Sequence, residues 1–184
     1  RLLNLTRSRV EKEFICYDIL NLDLRKFILK NKINHIINFS ALKHVRSEEN
    51  QYSTEYMFAV NSISFLDIKY PKSVKSIFSI SSDKVNKPTS LLGVSKKLME
   101  YTLSEIKNNN KNIFVSSVRF TNVSFSKGSI LKNVYDKIIS QQTIGIPKKV
   151  SRYFITHNEA SSLCMKSMLI EFNGKIVLPS KKNY

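Results

Sequence analysis

Apolar residues along this chain recur in two rhythms: compact runs bounded by small or polar residues, and positions spaced three and four apart. The first rhythm predicts strands buried in a sheet, the second helices with one apolar face. Phe14 to Tyr17 reads as a short strand ending at Asp18, and Ile33 to Phe39 as a buried parallel strand ending in Ser40-Ala41. Ile77 to Ser81 and Ile113 to Phe120 are the next strands, and Lys175 to Leu178 is the last. Leu22 to Lys30 has helical spacing, with Leu24, Phe27 and Ile28 on one face. Helices are also predicted over Glu48 to Leu66, Leu91 to about Ile106 with Ser90 as N-cap, Val134 to Ser140, and Glu159 to Leu169. Tyr70 to Lys75 is a Pro-bearing connection, Lys107 to Asn112 a polar loop, and Arg152 to Ile155 a short extended piece. Strands alternate with helices almost throughout, with no internal repeat and no dividing linker. The expected fold is α/β, a parallel sheet covered on both faces, with Ile36, Ile37, Ile77, Ile80, Val115 and Val118 buried in it.

Composition narrows the class. With 184 residues and 42% apolar content the chain can form one domain with a real core. No apolar run approaches the roughly 18 residues that span a bilayer, and no signal-peptide pattern is visible, so no membrane span and a cytoplasmic location are expected. The chain begins at Arg1 rather than Met, as a fragment or trimmed chain would. The net charge of +16 raises the question of nucleic acid. The lysines are scattered, however, without zinc-ligand spacing, an RNA-recognition signature or a long basic tract, and no nucleic-acid partner is expected. A basic surface also suits an anionic small substrate such as a nucleotide diphosphate. Cys16 and Cys164 lie far apart without metal spacing; two buried thiols and no metal site are expected.

Candidate chemistry gathers where predicted strands end. Asp83 and Lys84 directly follow the run from Ser76 to Ser81, which sets an acid and a base at the carboxyl end of a strand. In open α/β sheets ligands bind at that edge. A desolvated Lys84 with a lowered pKa is a usable base, and a buried Asp83 a usable acid; an exposed Asp-Lys turn is the plain alternative. Leu92 and Lys96 lie four apart on one helical face, although a lysine there often points to solvent. Ser40 and Ala41 are small enough for a flat cofactor to approach the backbone, and Lys43 and His44 beside them can contact a phosphate or a sugar; a solvated basic turn reads the same way. Asn122 ends another strand, Gly128-Ser129 can present backbone N–H groups to a phosphate at a helix start, and Arg152 can pair with a diphosphate or with a surface carboxylate.

Taken in order, these segments resemble the extended short-chain dehydrogenase/reductase family, and within it the nucleoside-diphosphate-sugar 4,6-dehydratases of bacterial polysaccharide and nonulosonic-acid biosynthesis. The matching blocks are Phe39 to Asn50, Ser81 to Lys84 with Asn86 and Pro88, Gly93 to Lys96, Ser117 to Asn122, and Arg152 to Phe154. The resemblance implies a Rossmann-like doubly wound sheet: a cofactor-binding portion over residues 1–122 and a small substrate-binding portion over 123–184, interleaved with it. It implies bound NADP or NAD and a UDP-linked N-acetylhexosamine substrate, and a homo-oligomer is expected. Asp18 would sit near the adenine and Lys96 on the nicotinamide ribose, with Ser40, Ala41, Lys43 and Ser81 completing the cofactor set. Asn122 and Arg152 would hold the nucleotide sugar, together with Lys43, His44 and Ser129. Asp83, Lys84 and Lys96 would form the catalytic set, with Asp83 and Lys84 as the acid and base of dehydration. The sequence departs from the family pattern twice. None of its four glycines forms the Gly-x-x-Gly-x-x-Gly pyrophosphate loop, and the family's catalytic Tyr position is Leu92, where a subgroup carries Met. A sugar-nucleotide epimerase and a non-catalytic Rossmann remnant acting as a binding protein are the alternatives.

Overall fold

The computed structural model describes residues 13–43, 48–65, 68–145, 151–169 and 172–180. Strands β1 (His35–Asn38), β2 (Ser76–Ile80) and β3 (Phe114–Val118) are joined by a later strand, β6 (Ile176–Val177), into one parallel sheet of order β1-β2-β3-β6. Ile37 sits opposite Phe78, Phe78 opposite Ser116, and Val118 opposite Val177. Parallel neighbours require a crossover between them. Here α2 (Gln51–Asn61) lies between β1 and β2 in the chain, α3 (Leu91–Asn109) between β2 and β3, and α5 (His157–Ser167) before β6. Helix α1 (Leu24–Lys30) precedes the sheet. Two shorter strands, β4 (Asn122–Val123) and β5 (Phe154–Ile155), pair in parallel as a separate ribbon, with α4 (Ile130–Ile139) between them in the chain. The arrangement is the parallel sheet covered on both faces that the alternation predicts, and the doubly wound, Rossmann-like α/β fold that the resemblance implies.

Each face has its own core. On one, Met99, Leu103 and Ile106 recur along α3 at helical spacing and pack with Ile28, Phe65, Ile77 and Val115. On the other, Phe78 and Val118 pack with Cys164 of α5, flanked by Ile80, Phe120 and Val177. Ile77, Val115 and Val118 are buried as expected, and Ile36 and Ile80 partly so.

Four expectations are corrected. Phe14 to Tyr17 forms no strand and is exposed; the chain turns at Asp18, whose carboxylate accepts from the Leu20 N–H at 3.0 Å, and the run pairs with no strand among the described residues. An extended run without a ladder partner has no reason to stay extended. Cys16 within it is therefore exposed, while Cys164 is buried. Ile37 is 50% exposed because β1 has no second neighbour among the described strands, and α5, on the same face of the sheet, packs on β3 and β6 rather than on β1. Phe39 beyond it is also exposed and rests edge-on against Phe78. Fourth, the helix expected over Glu48 to Leu66 starts later, capped by Asn50, whose side chain accepts from the Ser53 N–H. It stops at Asn61, followed by a 3₁₀ turn over Ile63–Phe65. Boundaries also move outward elsewhere: α3 continues through Lys107 to Asn109, and α4 begins at Ile130 behind its N-cap Ser129.

Candidate active site

Because the four sheet strands are parallel, their carboxyl ends share one edge. β1 delivers Phe39 to Lys43 there, β2 delivers Ser81 to Val85, and β3 delivers Arg119 to Asn122. The residues after β2 coil into a 3₁₀ turn over Asp83–Val85. Ser82 caps it, accepting from the Lys84 N–H at 3.3 Å and donating its hydroxyl to Asp83 Oδ1 at 3.0 Å. The Asp83 N–H donates to the Phe120 carbonyl at 3.3 Å, which ties the turn to the end of β3. Lys84 Nζ stands 3.5 Å from Asp83 Oδ1, and both side chains remain open to solvent, so the desolvated Lys84 and buried Asp83 that the sequence led us to expect are corrected: the turn projects from the sheet edge and no described element covers it. The first turn of α3 presses on this turn. A Cβ at Gly93 would meet the Lys84 carbonyl oxygen at 2.9 Å and Pro88 at 3.2 Å, so the helix can come this close only with glycine there.

One turn further along α3, Lys96 runs inward. It is 6% exposed, and its ammonium donates to the Ile80 carbonyl at 2.9 Å, the last carbonyl of β2. Burial in low-dielectric surroundings lowers its pKa to about 8. Ser81 also turns inward: its hydroxyl donates to Glu100 Oε1 at 2.5 Å. The serine on the open side of the turn is Ser82.

The loop after β1 is held by an amide clamp. Asn61, fully buried at the end of α2, accepts from the Leu42 N–H at 2.8 Å and donates to the Leu42 carbonyl at 3.0 Å and to Ser95 Oγ at 3.0 Å. The clamp fixes the small pair Ser40-Ala41 beside α3, and the Ser40 N–H bonds back to Asn38. Lys43 reaches across to the Lys127 carbonyl at 3.1 Å, joining this loop to the segment before α4. His44 lies outside the described residues. Glu48 accepts from the Leu92 N–H at 3.1 Å, which puts a carboxylate at the start of α3 beside the position where the family pattern has Tyr.

The remaining expected residues lie on neighbouring elements. Asp18 accepts from the Tyr56 hydroxyl of α2; that bond and the Leu20 N–H hold its carboxyl below the usual range. Asn122 donates its amide to the Tyr153 carbonyl at 3.1 Å, tying β4 to the residue after Arg152. Ser129 caps α4 by accepting from the Lys132 N–H. Arg152 is exposed, its guanidinium bonded to the adjacent Ser151 carbonyl. Asp83, Lys84, Lys96, Ser40 and Ala41 thus share the carboxyl edge, with Lys43 reaching out from it. Asp18 sits apart, against α2.

Two cavities, of about 420 and 620 Å³, lie elsewhere. The first is lined by Tyr70, Ile106 and Asn110, near the amino ends of β2 and β3; the second flanks the apolar side of α4 along Ile130 and Val134. Neither is lined by Asp83, Lys84 or Lys96. No cluster of three metal-ligating side chains occurs among the described residues, and no described helix is long and apolar enough to cross a membrane.

Comparison with known proteins agrees with this architecture. The model of the polysaccharide biosynthesis protein family matches residues 3–183, and the chain belongs to that family. It is 28% identical over 104 residues to the capsular polysaccharide biosynthesis protein CapD of Staphylococcus aureus, covering 56% of this chain and 17% of CapD. It is 23% identical over 163 residues to a UDP-N-acetylglucosamine 4,6-dehydratase (inverting) of Campylobacter jejuni, covering 84% and 48%. The crystal structure of DesIV, a dTDP-glucose 4,6-dehydratase from Streptomyces venezuelae with NAD and TYD bound, superposes with a TM-score of 0.68 at 14% identity, covering 88% of this chain and 56% of that one. The chain spans about half or less of the length of the curated relatives it matches.

Proposed function

We propose that this chain carries the dehydration site of an NAD(P)-dependent 4,6-dehydratase acting on a UDP-linked N-acetylhexosamine. The observation that carries the reading is the Asp83-Lys84 pair on a pinned, solvent-facing turn at the carboxyl edge of the parallel sheet. Loss of water from C6 needs a base for the C5 proton and an acid for the departing hydroxyl. In the proposed roles Lys84 takes the C5 proton and Asp83 gives a proton to the C6 hydroxyl, which leaves as water. The name of the Campylobacter relative supports the reaction class and the sugar nucleotide.

The residues present fit the ribose and ring side of a nicotinamide cofactor. The clamped Ser40-Ala41 loop keeps a small-residue backbone at the sheet edge, and Lys96, which donates to the Ile80 carbonyl and to Met99 Sδ, keeps one further N–H donor. When bound, the group supplies the hydride acceptance and return that a 4,6-dehydration requires. The pyrophosphate side finds no Gly-rich loop among the four glycines, one of which, Gly93, is committed to the contact with Lys84. Lys43, Asn122, Ser129 and Arg152 are assigned to the sugar nucleotide, with Asp18 toward the adenine. Leu92 cannot take a proton from the sugar hydroxyl, so Lys84 or a water must assist the first oxidation.

The test is incubation of the full-length, cofactor-loaded protein with UDP-N-acetylglucosamine, followed by mass spectrometry. Loss of one water, with a 4-keto-6-deoxy product, is expected. A product of unchanged mass would establish an epimerase instead. No reaction across several UDP-sugars would favour a non-catalytic binding protein, the reading that Leu92 supports.

A further inference from the structure

A cluster of charge-assisted hydrogen bonds lies behind the Asp83-Lys84 turn, and the chemistry proposed above makes no use of it. Glu100 sits on α3 one turn after Lys96, with only 8% of its side chain exposed. Its carboxylate accepts three hydrogen bonds: from Ser81 Oγ at 2.5 Å, from Arg119 Nε at 2.7 Å, and from Arg119 Nη2 at 2.5 Å. The bidentate guanidinium contact raises the pKa of Arg119. Each partner comes from a different element. Ser81 directly follows β2, Arg119 directly follows β3, and Glu100 belongs to the helix between them.

Glu100 is buried and Arg119 partly exposed; taking the carboxylate out of water is costly, and such a pair contributes little net stability compared with apolar packing of the same volume. What it does supply is directional, short-range geometry. Around this pair the neighbouring backbone is fixed in the same way. Lys96 holds the Ile80 carbonyl, the Ser81 N–H donates to the Val118 carbonyl at 2.8 Å, and the Asp83 N–H donates to the Phe120 carbonyl. These three bonds act on Ile80, on Ser81 and on the backbone of Asp83 itself, the run that leads into the acid–base pair. We propose that Glu100 is a positioning residue: gripping Arg119 on one side and Ser81 on the other, it locks the ends of β2 and β3 together and so sets where the Asp83-Lys84 turn stands. The consequence for catalysis rests on the reading of Asp83 and Lys84 as acid and base; the geometric claim does not.

Hydrogen exchange of Glu100→Gln in the full chain separates the two. The variant keeps the shape but loses the charge that Arg119 grips. Loss of charge-assisted bonding from a local opening equilibrium changes it by about 10- to 100-fold. Amides of Asp83, Val85 and Asn86 should therefore exchange faster by about that factor, while Ile77 and Phe78 in β2 and Leu103 in α3 keep the parent rate. Acceleration of all these sites together would mean a merely structural pair, and unchanged turn amides would mean no strut; either overturns the proposal. Ser81→Ala, which removes a single hydroxyl, is the milder second variant should Glu100→Gln not fold, and the same pattern at smaller amplitude is expected. Arg119→Lys keeps the charge without the fork and should not restore the parent pattern. In the full-length, cofactor-loaded protein, Glu100→Gln should lower kcat with little change in KM for UDP-N-acetylglucosamine, because the substrate contacts are untouched. An inactive parent with the expected exchange pattern would sink the dehydratase reading and leave the strut standing. An active parent whose turn amides ignore the substitution would do the reverse.

Discussion

Lys96 is the residue whose chemistry the fold changes most. Free lysine is charged up to pH 10.5, but burial against Ile80 brings this one to about 8. Below pH 8 both folded and unfolded chains hold the proton, and the full cost of burying the charge is present. Between pH 8 and 10.5 the unfolded chain binds more protons, so stability rises with pH. Relative to Lys96→Met, the parent should gain roughly 3 kcal/mol between pH 7 and pH 10.5 in urea unfolding; parallel profiles would mean that the ammonium is not buried. The same substitution in a full-length protein should weaken NAD or NADP binding measured by calorimetry, since it removes the N–H donor assigned to the ribose. Asp83 is the contrasting case, an exposed side chain that the core does not need. Asp83→Asn should leave the melting temperature and cofactor binding intact while lowering dehydration by about 10²- to 10⁴-fold, the usual range for a lost general acid. An equal loss of cofactor binding would assign it to structure rather than proton transfer.

At the scale of elements, two packing contacts carry the argument. Helix α3 approaches the Asp83 turn through Gly93, where a methyl group would fall 2.9 Å from a backbone oxygen that has nowhere flexible to go. Gly93→Ala should destabilise the chain by about 1–3 kcal/mol despite alanine's better helix propensity, because overpacking outweighs propensity. Neutral or improved stability in denaturant unfolding would show that helix and turn can separate freely. The second contact concerns β1. Ile77 is fully buried between sheet and α3, while Ile37 is half exposed on the opposite face. Ile77→Ala should therefore cost about 2–5 kcal/mol, and Ile37→Ser less than about 1 kcal/mol. A large loss at Ile37, measured on the same chain, would mean that something covers β1 in solution.

At the scale of the whole molecule, the net charge of +16 acts on binding rather than on fold. Exposed Lys43 and Lys84 put positive charge at the carboxyl edge and Arg152 adds an exposed charge on a neighbouring element, and the fields of such charges are screened over about 10 Å at 0.1 M salt. Affinity for UDP should fall as sodium chloride rises, with the steepest loss in the parent and a shallower one in Arg152→Ala. A salt-independent affinity by calorimetry would remove the basic surface from the account of substrate binding.

What the sequence determined by itself was the local physics. The rhythms of apolar residues laid out β1, β2, β3 and the helices between them. Ser90 marked the start of α3, and Asp83 and Lys84 were legible as a carboxylate and an ammonium at the end of a strand because their position along the chain is enough to say so. Phe14 to Tyr17 and Ile37 were misread for one reason: an apolar run shows what a residue would gain from burial, not whether a partner surface exists to bury it. Only the tertiary structure decided that Ser81 faces Glu100 while Ser82 faces the turn, that Asn61 clamps Leu42 across the gap between β1 and α2, and that Glu100 and Arg119 close on each other. Those contacts join residues 19 apart in sequence. No local periodicity records them, because a polar side chain on a helix reads as solvent-facing until the sheet end that it bonds is brought beside it.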